Sequence, residues 1–192
     1  MVVLKKILDF YINSSLHVAL SAFALVSMTQ YFFGVQGDFS VAVFTFFGTV
    51  VGYNFVKYDA IARLNKTEIK KELKAIVFLS FISLLACFYF FFQLSWESKL
   101  SAFAFFGLTL LYTLPFFPNK QNARNWKGVK IYIVGITWVG VTVILPLVEA
   151  EIQFSTDVLL MAVQRFLLIF SMVLVFDIVD VKGSYSYNAA SD

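Results

Sequence analysis

The sequence predicts an all-α fold: a polytopic membrane helical bundle of about six transmembrane helices with its N-terminus in the cytoplasm. Three observations predict it. The 192 residues are 60% hydrophobic and 19% aromatic, with a mean hydropathy of +0.81, which is more apolar surface than a soluble domain of this length can bury. The apolar residues fall into runs of about 20, the length that crosses a hydrocarbon core of about 30 Å at about 1.5 Å per residue. The third observation is the distribution of Lys and Arg, 13 of 15 of which collect on one side once the runs are threaded through a bilayer.

The spans are placed at 14–33, 39–57, 75–94, 99–117, 130–148 and 158–177. The first follows the basic start "MVVLKK", is too long for a signal-peptide core and has no small-residue cleavage site after it, so it reads as a retained helix. "GVQGD", "SWESK" and "EAEIQFSTD" are short neutral or acidic turns that make hairpins of spans 1 and 2, 3 and 4, and 5 and 6. Between the hairpins lie the longer basic segments "KYDAIARLNKTEIKKELK" and "PNKQNARNWKGVK". The alternation puts the ends of spans 2, 4 and 6 on the cytoplasmic side. Residues 1–182 form the transmembrane domain, and 183–192, "GSYSYNAASD", polar and without periodicity, are expected to be disordered.

A chain of this kind has few places for chemistry. Cys87 is the single cysteine and lies within an apolar run, which excludes a disulfide framework or a cysteine metal cluster. The sequence has no phosphate-cradling glycine loop and no nucleophile-elbow serine, and no nucleic-acid partner is expected. Carboxylates, amides and basic residues at the cytoplasmic face remain.

The sixth span ends in "FDIVDVKGS", where Asp177 and Asp180 stand three residues apart and share a helix face. Two carboxylates at the negative end of a helix dipole repel each other unless a cation offsets them, and Mg2+ suits such a pair because it takes oxygen ligands and keeps waters and phosphates. The same residues also serve simply to end a helix in water. Span 2 ends in "GTVVGYNFVKYDA": Gly48 and Gly52 form a small-xxx-small pair, and Asn54 supplies a neutral oxygen or an interhelical hydrogen bond. Asp59 is about 140° around a continuing helix from Asn54, and joins it only if the helix has ended. Lys120, Arg124, Lys127 and Lys130 in the second basic segment suit an anionic, phosphate-bearing group. Arg165, within span 6, is expected to face the bundle or to reach outward to Asp157, Glu149 or Glu151 in a structural ion pair. His17, one turn after Asn13, is read as structural.

Together "VGYNFVKYDA" and "FDIVDVKGS" resemble the two Asp-rich motifs that end helices 2 and 6 of the UbiA-type intramembrane prenyltransferases, and the Gln164-Arg165-Phe166 approach and "WKGVKIYIVGITW" resemble neighbouring segments. The resemblance runs through the whole chain in helix order. It implies Mg2+ held by Asp177, Asp180, Asn54 and Asp59, and an isoprenoid diphosphate positioned by Lys120, Arg124, Lys127 and Lys130. Asp177, Asp180 and Asn54 would then be the catalytic set, and the reaction would be transfer of a polyprenyl group to a lipophilic or aromatic acceptor. The implied location is the bacterial inner (cytoplasmic) membrane, with membrane lipid around the chain.

The chain departs from the family pattern at Phe55 and Tyr58, which stand where the first motif has carboxylates, and at Ser184, which replaces a later aspartate of the second. The family has nine membrane helices against the six counted here, so the resemblance implies either a truncated copy or fragment or a chain that assembles with itself or with a complementing chain. A non-catalytic scaffold or isoprenoid-diphosphate-binding remnant of the same fold is the alternative, and a small transporter a second one. The topology makes a direct prediction: a reporter fused after Lys127 is cytoplasmic and one fused after Glu151 is external, and the reverse pattern would dissolve the shared face on which the site depends.

Overall fold

The computed structural model describes the backbone of residues 2–35, 39–64, 71–113 and 128–189, and the side chains of 3–35, 39–58, 73–113, 128–129 and 131–176. Every regular element among them is a helix, as an apolar chain requires: where no water reaches the backbone, only a helix or a closed barrel satisfies each N–H and C=O from within. The elements are α1 (Val2–Asn13), α2 (Leu16–Phe32), α3 (Ser40–Leu64), α4 (Lys71–Gln93), α5 (Trp96–Thr113), α6 (Val129–Val139), a π-helical turn (Gly140–Ile144), α7 (Leu145–Glu149) and α8 (Thr156–Ala189).

Hydroxyl residues survive in these apolar helices by bonding to their own backbone one turn back. Thr49 donates to the carbonyl of Thr45 at 2.7 Å, Thr113 to Thr109 at 2.7 Å and Ser171 to Leu167 at 2.8 Å. Helix starts are capped in the usual way: the hydroxyls of Ser95 and Ser155 accept the N–H groups of Ser98 and Val158 at the first turns of α5 and α8.

Four segments are long and apolar enough to cross a membrane, Ser40–Tyr58, Leu73–Gln93, Ile131–Glu149 and Thr156–Phe176, and the pair α1–α2, bent by 61°, makes a fifth if counted as one. The region expected at 99–117 is α5, which opens on Glu97 and Lys99 and whose described part stops at Thr113. Helices also run past the expected membrane ends. α3 continues to Leu64, and the α8 backbone is helical to Ala189.

The chain divides into two compact units. The first holds residues up to Phe103 together with Val141–Gln153. In it α3 packs against both α2 and α4. The face α2 turns inward is Ala19, Ala22, Val26, Thr29 and Gln30, the three- and four-residue spacing of one helix stripe, and small residues dominate it so that backbones approach. Val26, Val41, Ala42, Leu94 and Leu145 form the core, with Phe23, Phe44 and Phe91 packed around it. Of the Gly48–Gly52 pair, only Gly48 faces a neighbour: a Cβ there would meet Cys87 Sγ at an ordinary 3.6 Å, while one at Gly52 would meet open space. The close approach that this motif announces is therefore not made at Gly52.

Pro146 lacks the N–H that would return to the carbonyl of Thr142, and the helix before it loosens into the π turn. The Thr142 carbonyl accepts the Thr29 hydroxyl of α2 at 2.7 Å, and both residues are fully buried. The chain then turns through Glu151, held at φ 54, with the N–H of Ile152 on the carbonyl of Leu147 at 2.9 Å. The Glu149 carboxylate takes the backbone N–H of Ser95 with both oxygens, at 2.9 and 3.2 Å.

The second unit is Ala104–Gly140 with residues from Phe154 on. Here α6 packs on α8. Tyr132 stacks with Phe166 and tilts against Phe170, at centroid distances of 6.3 and 5.8 Å. Gly135 exists to admit the Phe166 ring, whose edge would lie only 2.7 Å from a Cβ. Gly140 does the same for Phe105. Arg165 is 3% exposed, and its Nη2 reaches back one turn to Met161 Sδ at 3.9 Å.

Replacing Thr29 by Val keeps the shape and removes the bond to Thr142. The variant should lose about 1–3 kcal/mol of stability in reversible unfolding from detergent, whereas Ser21→Ala, which removes only a local exposed bond, should lie within about 0.5 kcal/mol of the parent.

Candidate functional site

Asn54 sits on α3 near its crossing with α4, 3% exposed. Its Nδ2 donates to Ser80 Oγ at 2.9 Å, and Ser80 passes its own proton to the carbonyl of Ile76 at 2.9 Å. That second bond makes Ser80 an acceptor towards Asn54 and so orients the amide. The Asn54 carbonyl oxygen is buried and has no hydrogen-bond partner among the described residues, a costly state for an amide oxygen unless another donor or a cation meets it. The interhelical bond that the sequence admits at Asn54 is therefore present, and one acceptor is left over.

The residues after Asn54 serve a different purpose. Tyr58, where the family pattern has a carboxylate, donates its phenol to the carbonyl of Asn13 at 2.8 Å. Lys57 reaches the same carbonyl at 3.3 Å and the Asn13 side-chain oxygen at 3.4 Å, and lies 5.5 Å from the Tyr58 ring centroid. Together they hold the corner between α1 and α2, where Ser15 stands at φ 60 and where Ser14 and Ser15 are buried. His17, on the first turn of α2, places its ring 5.8 Å from Tyr11, in keeping with a structural part. No signal in the sequence marks this corner beyond the pair Ser14-Ser15 between two apolar stretches.

Asp59 lies on the helical backbone of α3, which continues to Leu64, so positions 54 and 59 are about 140° apart around one axis. Its side chain lies outside the described residues. Asp177 and Asp180 belong to the α8 backbone, with side chains likewise outside the described residues, as is that of Lys130 on α6. Lys120, Arg124 and Lys127 lie outside the described residues altogether.

The second unit nonetheless fixes a register. Tyr132 against Phe170, and Gly135 one turn later against Phe166 one turn earlier, make α6 and α8 antiparallel. The beginning of α6, with position 130, and the far part of α8 therefore lie towards one end of the pair. On α8 the stripe that meets α6 runs through 166 and 170, and by helical geometry position 177 prolongs it, within about 20° of position 170, while position 180 lies about 80° from 170. Asn54 and Asp59 belong to the other unit. Among the described residues no group of three or more His, Cys, Asp or Glu gathers in metal-binding geometry.

The first unit also has an open cleft of about 350 Å³ between the end of α2 and α7, lined by Gln30, Phe33, Val35, Pro146, Glu149 and Ile152. Its one carboxylate, Glu149, already accepts the N–H of Ser95.

The Asn54–Ser80 bond predicts a coupling. In a double-mutant cycle of Asn54→Ala and Ser80→Ala, read by unfolding in detergent, the interaction energy should be about 0.5–1.5 kcal/mol; a value near zero would show the Asn54 amide to be independent of α4. No protein-family model, curated protein or solved structure matches this chain.

Proposed function

We propose that this chain is a UbiA-like, multi-pass membrane protein that binds an isoprenoid diphosphate with Mg2+ at the cytoplasmic end of α8. In this reading α2, α3, α4, α5, α6 with α7, and α8 are the six spans, the N-terminus is cytoplasmic and the host is a bacterial inner membrane. The observation that carries it is the register of the second unit. Prolonged along the α8 backbone, the stripe through 166 and 170 passes near position 177, with position 180 about 60° around the helix from 177, towards the end at which α6 begins.

The residues fit the metal in part. Two carboxylate positions on one helix face, with waters and phosphate oxygens completing the shell, are what Mg2+ is commonly given. Asn54 and Asp59 lie on different faces of α3, so they fit a shared site less well. Bound there, Mg2+ would supply charge neutralisation to a diphosphate. Lys120, Arg124, Lys127 and Lys130 would hold and orient the same anion. In the transfer reaction the bond from the allylic carbon to the diphosphate oxygen breaks, that carbon bonds to a nucleophilic acceptor, and the acceptor loses a proton.

A second reading is a non-catalytic binder of the same ligand. Tyr58 favours it, because its phenol is committed to the carbonyl of Asn13 where the family pattern provides a carboxylate.

Calorimetry of the detergent-purified chain with geranylgeranyl diphosphate tests the proposal. Binding should be saturable and require Mg2+, and Asp177→Ala and Asp180→Ala should each abolish it while the protein remains folded in the membrane. Binding by both variants at the parental level would reduce the aspartates to helix ends. Pyrophosphate release on adding a lipophilic aromatic acceptor separates transferase from binder.

A further inference from the structure

We infer that α1 is an interfacial helix that lies on the membrane surface, with its apolar face seated in the headgroup–acyl boundary and Lys5 and Lys6 turned to anionic lipid headgroups. At 100° per residue, Val3, Leu4, Ile7, Leu8, Phe10 and Ile12 cover an arc of about 200° centred on Tyr11. Lys5, Lys6, Asp9 and Asn13 share the remaining arc of about 100°. Among the described residues little covers the first two turns of the apolar arc: Val3, Leu4, Ile7 and Leu8 are 71%, 74%, 61% and 53% exposed. A helix of this length with a wide apolar face and lysines on its polar face has the make-up of one lying in a bilayer interface.

Continuity with α2 identifies what covers the face. α2 has 17 residues, the short end of what crosses a hydrocarbon core (about 17–25), so α1 is not needed to complete the crossing and begins where the membrane surface does. The two axes differ by 61°, so with α2 near the membrane normal α1 lies within about 30° of the membrane plane. The orientation about the α1 axis also agrees. Tyr11, at the centre of the apolar arc, meets His17 across the corner, which places that arc on the concave side, the side towards which α2 descends.

The corner is built to hold this angle. Ser14 and Ser15 are buried, Ser15 takes a left-handed conformation, and the carbonyl of Asn13 is fastened to the end of α3 by Tyr58 and Lys57. The helix is thus presented to the lipid already oriented, and little entropy is lost on seating it.

The inference rests on the multi-pass membrane reading, and the test separates the two. In a Cys87→Ser background, nitroxide labels are placed singly at Ile7, Asp9 and Phe88 of the full chain, reconstituted in phosphatidylcholine vesicles with and without phosphatidylglycerol. Collision with oxygen is compared with collision with a water-soluble nickel chelate. The label at Ile7 should favour oxygen at a shallow depth, about 5–10 Å below the headgroups. That at Asp9 should favour the chelate, and that at Phe88, exposed within the α4 span, should favour oxygen. With Lys5→Glu and Lys6→Glu combined, the Ile7 label should move towards water in anionic vesicles and stay in place in neutral ones. Ile7 and Asp9 equally wet, equally deep, or shielded from both reagents by a second copy of the chain would each overturn the inference, as would equal effects of the lysine changes in both lipids. A wet label at Phe88 would overturn the membrane reading and the inference with it.

Discussion

Where one of these helices breaks, its carbonyls lose their intrahelical donors, and each costs about as much as the hydrogen bond it lost unless another donor takes it. The first unit has two breaks and answers both. At the α1–α2 corner the carbonyl of Asn13 takes the Tyr58 phenol and the Lys57 ammonium. At Pro146, where the α-helical ladder lacks a donor, the carbonyl of Thr142 takes the Thr29 hydroxyl. α2 is thereby tied at its beginning to α3 and near its end to the segment around α7. These ties use side chains that hydropathy alone would call minor polar interruptions of apolar runs.

The same constraint explains which parts of the fold were legible in the sequence. Long apolar runs bounded by charged turns state their own helical structure, since hydrocarbon permits little else, and α2, α4 and α8 begin within a few residues of the expected spans. The corner at Ser14-Ser15 was not legible, because the apolar residues of α1 simply precede those of α2 and hydropathy does not register a change of direction. Nor was the π turn before Pro146. Proline announces a break, but the partner that answers it, Thr29, is more than a hundred residues away in the chain and nothing local points to it.

The candidate site was legible in its chemistry and less so in its assembly. That Asp177 and Asp180 share a face follows from their spacing, and the aromatic contacts of Tyr132 with Phe166 and Phe170 add which face of α8 that is. Asn54 by its type must bond something, but residue type does not choose between a metal and Ser80. Its nitrogen has gone to the serine, and its oxygen stands buried beside the same interface with no partner among the described residues. At position 58 the geometry calls for a donor such as the phenol, since a carboxylate there would be an acceptor facing the Asn13 carbonyl, another acceptor.

Gly135 and Phe166 carry a consequence for how this chain can change over time. The ring fills the space that a Cβ at position 135 would need, so the two residues divide one fixed volume between them. A lineage can add a side chain at 135 only after shortening the one at 166, because the opposite order passes through an overpacked intermediate. Gly140 and Phe105 are bound by the same exchange. Among descendants of this sequence, substitutions at each pair should therefore arrive as reciprocal exchanges of size, small for large, while the lipid-facing aromatics of α4 drift freely.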